Sequence, residues 1–372
     1  MKRLIIILAI IMIVGIFAGC SKQNAADADE IRIGLNYELS GDNATYGNSS
    51  VEGIELAVEQ INAEGGINGK KIKLIKYDNK SEPAEATTLA TRLMTQDGVI
   101  AVLGPATSGA FKATIPVAIQ NKIPVASGSA TADDVTVDSS GAKEYAFRIC
   151  YSDSYQGTAM ATFALNNLSA KKAVIIMDSS SDYGKGLAEN FTKTFEEGGG
   201  TIVAQEAYVA KDTDFNAILT KIKGEEFDVI FIPGYYNEAG LIIKQARAQG
   251  IDVPILGADG FDSPVLLELA GADALNNVYF SNHYSSLDEN PVVVEFIEQF
   301  KAKYNKEPDA FNALGYDLAR FVADAISRAE KLDGESVKKA LEETTDFEGV
   351  TGTFSIDENH NVIKDIIVIE LK

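Results

Sequence analysis

Short runs of β-branched residues alternate with longer amphipathic segments from Ile31 almost to the end of the chain, and this alternation restricts the fold more than any other feature. Ile31–Asn36 reads as a strand. Val51, Ile54, Ala57, Val58 and Ile61 then share one helical face, and Gly65-Gly66 stops that helix. Lys71–Tyr77 is the next strand, Pro83–Met94 a helix with proline in its first turn, and Val99–Leu103 a compact apolar strand. Ser108–Ile119 is expected to be a helix kinked at Pro116, with strands at Ile123–Ala126 and Tyr145–Ile149 after it. The rhythm restarts after Asp153. Strands are expected at 173–177, 202–208, 229–232, 254–256 and 278–280, with helices around 154–168, 182–197, 214–222, 236–248 and 263–269. Such spacing means parallel sheets flanked by helices, an α/β architecture. Pro291–Glu343 reads as helical, and two short strands, near Val350–Ile356 and Val362–Leu371, close the chain. The roughly 340 residues of this pattern exceed what one core comfortably supports, so two lobes are expected.

The N-terminus has a different character. Lys2 and Arg3 precede an apolar run from Leu4 to Ala18, shorter than a membrane-spanning helix needs, which describes a secretory signal over 1–19. Phe17-Ala18-Gly19-Cys20 resembles the bacterial lipobox, although leucine usually stands where Phe17 does. That resemblance implies cleavage before Cys20, acylation of Cys20 and an extracytoplasmic protein held on the cell membrane by lipid, at the surface or in a periplasm. An ordinary signal peptide or a short anchor is the alternative. Residues 20–30 are polar and Ala-rich and read as a tether.

Composition removes several classes of function. The formal net charge is −21 without a basic block, which argues against nucleic-acid binding. After Cys20 only Cys150 remains, so no intramolecular disulfide is expected, and Cys150 reads as a small buried hydrophobe. The two histidines, His283 and His360, have no metal-ligand spacing and read as surface or hinge residues. There is no Gly-x-Ser-x-Gly elbow, and no paired cysteines for zinc. Gly184-Lys185-Gly186 is not a dinucleotide loop, because Glu189 stands where its third glycine would be. No catalytic role, cofactor or metal is expected.

In open parallel sheets, ligands sit beyond the carboxyl ends of the strands. The loops expected there share a composition. The first half supplies hydroxyls and glycines: 39–47, Gly104-Pro105-Ala106-Thr107-Ser108-Gly109-Ala110 and Ser127-Gly128-Ser129-Ala130-Thr131. The second supplies tyrosines and an acid: Ser181-Asp182-Tyr183-Gly184, Pro233-Gly234-Tyr235-Tyr236 and Gly257-Ala258-Asp259-Gly260. The mixture suits a small zwitterion. Hydroxyls and helix-start amides, as at Ser108, hold a carboxylate; Asp259 meets an ammonium; tyrosines form apolar walls with a polar rim. Helix capping and ordinary packing are the competing explanation for these residues. Thr107, Tyr155, Tyr236 and Phe311 are expected to set the volume.

Several motifs carry a family resemblance: Ser40-Gly41 with Tyr46-Gly47, Ile61-Asn62-Ala63-Glu64-Gly65-Gly66-Ile67-Asn68-Gly69 leading to Tyr77-Asp78, Asp182-Tyr183-Gly184-Lys185-Gly186, Gly234-Tyr235, and Gln245-Ala246-Arg247-Ala248-Gln249-Gly250. With them the chain resembles the leucine/isoleucine/valine-binding proteins of branched-chain amino acid ABC transporters. The resemblance implies the type I periplasmic binding fold, two doubly wound parallel-sheet lobes joined by three hinge crossings. It further implies a first lobe of 31–150 and 282–358 and a second of 151–281 and 359–372, with crossings near 149–153, 281–284 and 357–361. By the same resemblance, Ser108 binds the ligand carboxylate, the Ser129 carbonyl receives the ammonium, and Thr131 contacts the amino acid backbone. Tyr46, Tyr183, Tyr235 and Phe311 line the cleft, and Asp259 faces the ammonium where branched-chain binders carry a glutamate. The implied function is capture of a small α-amino acid by a monomer that hands it to an ABC permease. A lipoprotein of the same fold that feeds a sensor is the alternative; a repressor or receptor ectodomain is disfavoured, since no helix-turn-helix precedes Ile31 and no apolar span follows.

Overall fold

The computed structural model describes residues 30–371; the expected signal segment, Cys20 and nearly all of the tether lie outside the described residues. Among the described residues no helix is long and apolar enough to cross a membrane. The strands, in chain order, are β1 (Glu30–Tyr37), β2 (Lys71–Asp78), β3 (Ala101–Leu103), β4 (Val125–Ser127), the small hairpin β5 (Val137–Asp138) and β6 (Gly141–Ala142), and β7 (Ala146–Arg148). There follow β8 (Lys172–Asp178), β9 (Thr201–Tyr208), β10 (Val229–Phe231), β11 (Ile255–Gly257), β12 (Val278–Asn282), a second hairpin β13 (Phe347–Gly349) and β14 (Gly352–Phe354), and β15 (Ile367–Leu371).

Two sheets form two lobes. The first has the order β2-β1-β3-β4-β7, with every pair parallel. The second has the order β15-β12-β11-β10-β8-β9, parallel except that β15 runs antiparallel to β12 with Leu371 opposite Val278. Central strands β3, β4, β10 and β11 are buried at nearly every residue, as helices on both faces require, which is why they are continuous apolar runs. Edge strand β2 instead alternates, placing Lys71, Lys73 and Lys76 in solvent, where charge blocks pairing with another edge. In each sheet the strand order reverses once, between β1 and β3 and between β8 and β10. The loops at those reversals face one shared gap.

The chain passes between the lobes after Arg148, after Asn282 and again between Phe354 and Ile367. Helices Pro291–Tyr304, Ala310–Arg328 and Gly334–Glu342 come after β12 of the second sheet in sequence, and yet Ala310–Arg328 packs along Ala44–Ala63 of the first lobe. Two glycines allow that close approach. A Cβ on Gly53 would stand 1.9 Å from the Asn312 carbonyl oxygen, and one on Gly315 would stand 2.1 Å from that of Ser50. Asp309 and Asn312 form a reciprocal capping box that starts the second helix of the pair.

The structure corrects or refines the sequence reading at five places. The first helix begins at Ala44 rather than near Val51, so Tyr46-Gly47 lies in its first turn and not in a loop. The helical stretch 291–343 is three helices. The strand expected at Val350–Ile356 is the β13–β14 hairpin turning at Val350-Thr351, and the last strand is confined to Ile367–Leu371. The helix from Ser108 runs through Pro116 to Asn121.

Candidate functional site

Seven of the eight expected ligand-site residues line one cavity between the lobes: Tyr46, Ser108, Ser129, Tyr183, Tyr235, Asp259 and Phe311, joined by Ala106, Thr107 and Gly260. With the lobes in this position it leaves about 10 Å³ free, room for about one water. The lining side chains nearly fill the space between the lobes. Thr131 is not part of this lining.

On the first-lobe side, Ser108 is the first residue of helix Ser108–Asn121 and is buried. The first intrahelical bond runs from Phe111 N–H to the Thr107 carbonyl, so the amides of residues 108–110 have no acceptor within the helix and point toward whatever anion approaches. Ser108 Oγ accepts from Ala132 N at 3.1 Å, which ties this helix start to the loop after β4. Ser129 Oγ donates to the Ala106 carbonyl at 3.0 Å, so its hydroxyl proton is already committed. Behind both loops sits Glu38, fully buried at the end of β1, which sequence reasoning missed. Its carboxylate accepts from Ala106 N, Thr107 N and Thr107 Oγ at 2.8–3.1 Å and so fixes the curve of the loop leading into Ser108. Burial raises the Glu38 carboxyl above its ordinary value, while these bonds pull it back down.

On the second-lobe side, Asp259 opens a one-turn 3-10 helix, Asp259–Phe261, and is 3% exposed. Its Oδ1 accepts from the Tyr183 hydroxyl at 2.7 Å, and Oδ2 lies 3.3 Å from His283 Nε2. Its backbone N–H donates to Gln156 Oε1 at 3.1 Å. The Tyr183 oxygen accepts in turn from Gly260 N at 2.9 Å. Gly260 has to be glycine: a Cβ there would lie 2.9 Å from both the Gly234 carbonyl oxygen and the Tyr183 oxygen. His283 is buried, with Tyr151 stacked on its ring at 3.6 Å. Burial lowers the His283 pKa despite the upward pull of Asp259, so a neutral ring protonated at Nε2 is the form that donates to the acid. The sequence left this histidine open between surface and hinge. It is a hinge residue touching the site.

Aromatic rings close the remaining walls. Tyr183 and Tyr235 stack in parallel at 5.0 Å, Tyr46 stacks on Phe311 at 4.3 Å, and Tyr46 meets Tyr235 edge-on at 5.8 Å. Tyr46 also bridges the lobes, donating to the Gly260 carbonyl at 2.5 Å and accepting from Tyr236 N at 3.3 Å. Tyr236 lies outside the lining; its hydroxyl donates to the Asp42 carbonyl across the cleft mouth at 2.6 Å. Tyr155, expected to shape the volume, is instead 41% exposed and away from the cavity. Ion pairs Lys112–Asp182 (2.7 Å) and Lys211–Asp42 (3.1 Å) also span the gap. The lobes are closed on each other.

Thr131 belongs to a second, deeper layer. Its hydroxyl, both carboxylate oxygens of Asp153 and Gln156 Nε2 are buried without a hydrogen-bond partner among the described residues. The Thr131 carbonyl accepts from Asp153 N at 2.8 Å. Burial drives the Asp153 carboxyl well above the usual carboxylate range, and the nearby Thr131 hydroxyl partly opposes this. Nothing in sequence spacing marked Asp153 or Gln156, since an acid at a helix start is ordinary capping chemistry. Cys150 is fully buried with its thiol pushed up to about 12, as its role of small hydrophobe implied.

Comparison with known proteins agrees with this construction. The profile of the family described as "Periplasmic binding protein" matches residues 30–372. Leu/Ile/Val-binding protein homolog 3 of Brucella melitensis is 32% identical, over 90% of this chain and 89% of its own. The leucine-, isoleucine-, valine-, threonine-, and alanine-binding protein of Pseudomonas aeruginosa is 31% identical over 92% and 89%. Among solved structures, the branched-chain amino acid transporter substrate binding protein of Streptococcus pneumoniae in complex with isoleucine superposes with a TM-score of 0.87 and 44% identity, covering 92% of this chain and 96% of that one. A leucine binding protein of Thermotoga maritima gives 0.87 and 36%, covering 92% and 95%. With its two α/β lobes meeting over one shared cavity, the chain belongs to the periplasmic binding protein family, extracytoplasmic solute-binding proteins of ABC transporters and not enzymes.

Proposed function

We propose that this protein captures a branched-chain or similarly apolar α-amino acid between its lobes and delivers it, as a monomer, to the permease of an ABC transporter. The observation that carries the reading is one cavity with opposite chemistry at its two ends: helix-start amides and the Ser108 hydroxyl on one lobe, and the Asp259 carboxylate on the other. A zwitterion satisfies both ends only when the lobes are closed. That difference in contacts is what lets a ligand favour closure. The rings of Tyr46, Tyr183, Tyr235 and Phe311 provide apolar surface for a hydrocarbon side chain. Leucine, isoleucine and valine, for which the relatives are named, agree with such a lining.

In this reading the moving bodies are 31–150 with 282–358, and 151–281 with 359–372. Ser108, Ser129 and Thr131 act from the first, and Tyr183, Tyr235 and Asp259 from the second. Residues 1–19 direct export, and Cys20 is acylated and tethers the protein to the membrane through 20–30. Isothermal titration against the common amino acids tests the ligand assignment. Leucine, isoleucine and valine are expected to bind with one site each, and no heat from any of the three would overturn it. Mass spectrometry of the N-terminal peptide tests the anchor: a diacylated Cys20 is expected, and a free N-terminus elsewhere would refute it.

A further inference from the structure

Two carboxylates from opposite sides of the cleft meet at the start of a single helix. Asp262 lies in the second lobe, three residues beyond Asp259. Its Oδ2 accepts from Asn282 Nδ2 at 3.0 Å, beside the second hinge crossing, and from the backbone N–H of Ala310 at 2.9 Å. Ala310 is the first residue of Ala310–Arg328, the helix that packs into the first lobe and carries Phe311 into the cavity. The N-cap of that helix is Asp309, whose Oδ1 accepts from Asn312 N at 2.9 Å and whose Oδ2 accepts from Ser49 Oγ at 2.6 Å. One helix start thus receives an acid from its own lobe and another from the opposite lobe.

We propose that Asp262 is a closure latch, capping the first-lobe helix across the cleft, and that its meeting with Asp309 makes closure take up one proton from solvent. The proposal rests on the reading that the lobes close over a ligand. A free amide at a helix start favours an acceptor and negative charge, so Asp262 supplies a bond that exists only while the lobes touch. Asp309 already occupies the same positive end. Two half-buried carboxylates so placed disfavour both being ionised, and one of them holds a proton. Burial first, then the Asp262 charge, pushes the Asp309 carboxyl up to about 7, against the pulls of Ser49, Asn312 and Lys306. Burial likewise raises Asp262, with Asp259 adding to it. The other groups facing the pair are Glu52, ion-paired with Lys306 at 2.8 Å, Glu307, and the Tyr284 phenol, which senses Asp262, Asp309 and Glu307. Lys306 is the one cation among them, and Glu52 already engages it.

The sign is definite. A carboxyl raised in the closed state and near its ordinary value when separated favours closure fully at low pH, and the advantage is lost as pH rises through about 7. The limit for one proton is tenfold in affinity per pH unit; for half-buried groups, about threefold in total between pH 5.5 and 7.5 is expected, levelling above. The test is titration of isoleucine at pH 5.5, 6.5, 7.5 and 8.5, in buffers of different ionisation heat, on the wild type, Asp262→Asn, Asp309→Asn and Asp262→Ala. Asparagine still caps and still accepts, so both Asn variants keep the helix start. Wild type should take up a proton on binding and lose affinity toward pH 7.5. Both Asn variants should give clearly shallower profiles, and Asp262→Ala should bind more weakly at every pH. Variant profiles parallel to wild type would overturn the proposal. If isoleucine, leucine and valine all fail to bind wild type, the ligand assignment fails by itself. The latch is then read from small-angle scattering of the unliganded protein: compaction at pH 5.5 in wild type and not in Asp309→Asn supports it, and identical curves overturn it.

Discussion

Replacing Asp259 by asparagine isolates the charge on which ligand recognition is proposed to turn. The side chain keeps its size, and Oδ1 still accepts from Tyr183, so the fold should lose little. An ammonium hydrogen-bonded to a carboxylate sits about 2.8 Å away. With an effective dielectric of about 20, that is a Coulomb energy near 6 kcal/mol. Stripping water from the ammonium returns part of this, and desolvated pairs lose about 2–5 kcal/mol when one partner is removed. Asp259 is 3% exposed, which places it in the desolvated regime. His283, lowered by burial, does not supply a competing fixed cation. Asp259→Asn should therefore weaken isoleucine binding by about 30-fold to about 5,000-fold at pH 7. The assay is calorimetry on the variant beside wild type, with thermal melts to show that the fold is retained. A folded variant with unchanged affinity would remove Asp259 from the ammonium subsite and with it the zwitterion argument.

Gly53→Val drives a side chain into the Asn312 carbonyl between two first-lobe helices; it should destabilise by about 1–3 kcal/mol in urea unfolding, near the upper end, without touching the cavity. Burial lowers Lys364 to about 8, opposed by Asp317. The unfolded chain thus holds a proton that the folded one has lost between pH 8 and about 10.5, and stability from this group rises across that window by at most about 3 kcal/mol. The difference between wild-type and Lys364→Met denaturation curves should show that rise, and a difference independent of pH refutes it. Cys150, with its thiol pushed up to about 12, should resist alkylation at pH 8 in the folded protein and react on unfolding, as peptide mass spectrometry would report.

The sheets were legible because buried parallel strands are apolar throughout: Val99–Leu103 and Val229–Ile232 announce themselves without any periodicity. The start of the first helix was not, because Ala44-Thr45-Tyr46-Gly47-Asn48-Ser49-Ser50 has no apolar period; that turn packs through small residues against a partner about 260 positions away. The β13–β14 hairpin was read as one strand because its turn residues, Val350 and Thr351, are themselves strand formers. In the site, hydroxyls, tyrosines and the acid stood out by composition at loops following strands. Glu38, Asp153 and Gln156 did not, since their importance lies in burial and in bonds made or left unmade, which no spacing encodes. Tyr155 misled for the opposite reason: its neighbours in sequence point inward, and it turns out to solvent.

The pairing of helix 44–63 with helix 310–328 has a bearing on biogenesis. A ribosome must add some 260 residues after the first of these before the second exists, and until then the helix face carrying Ser50 and Gly53 lacks its partner. The nascent chain is thereby kept from locking its first core early. For an extracytoplasmic protein, that delay keeps the polypeptide pliable until nearly all of it has been made.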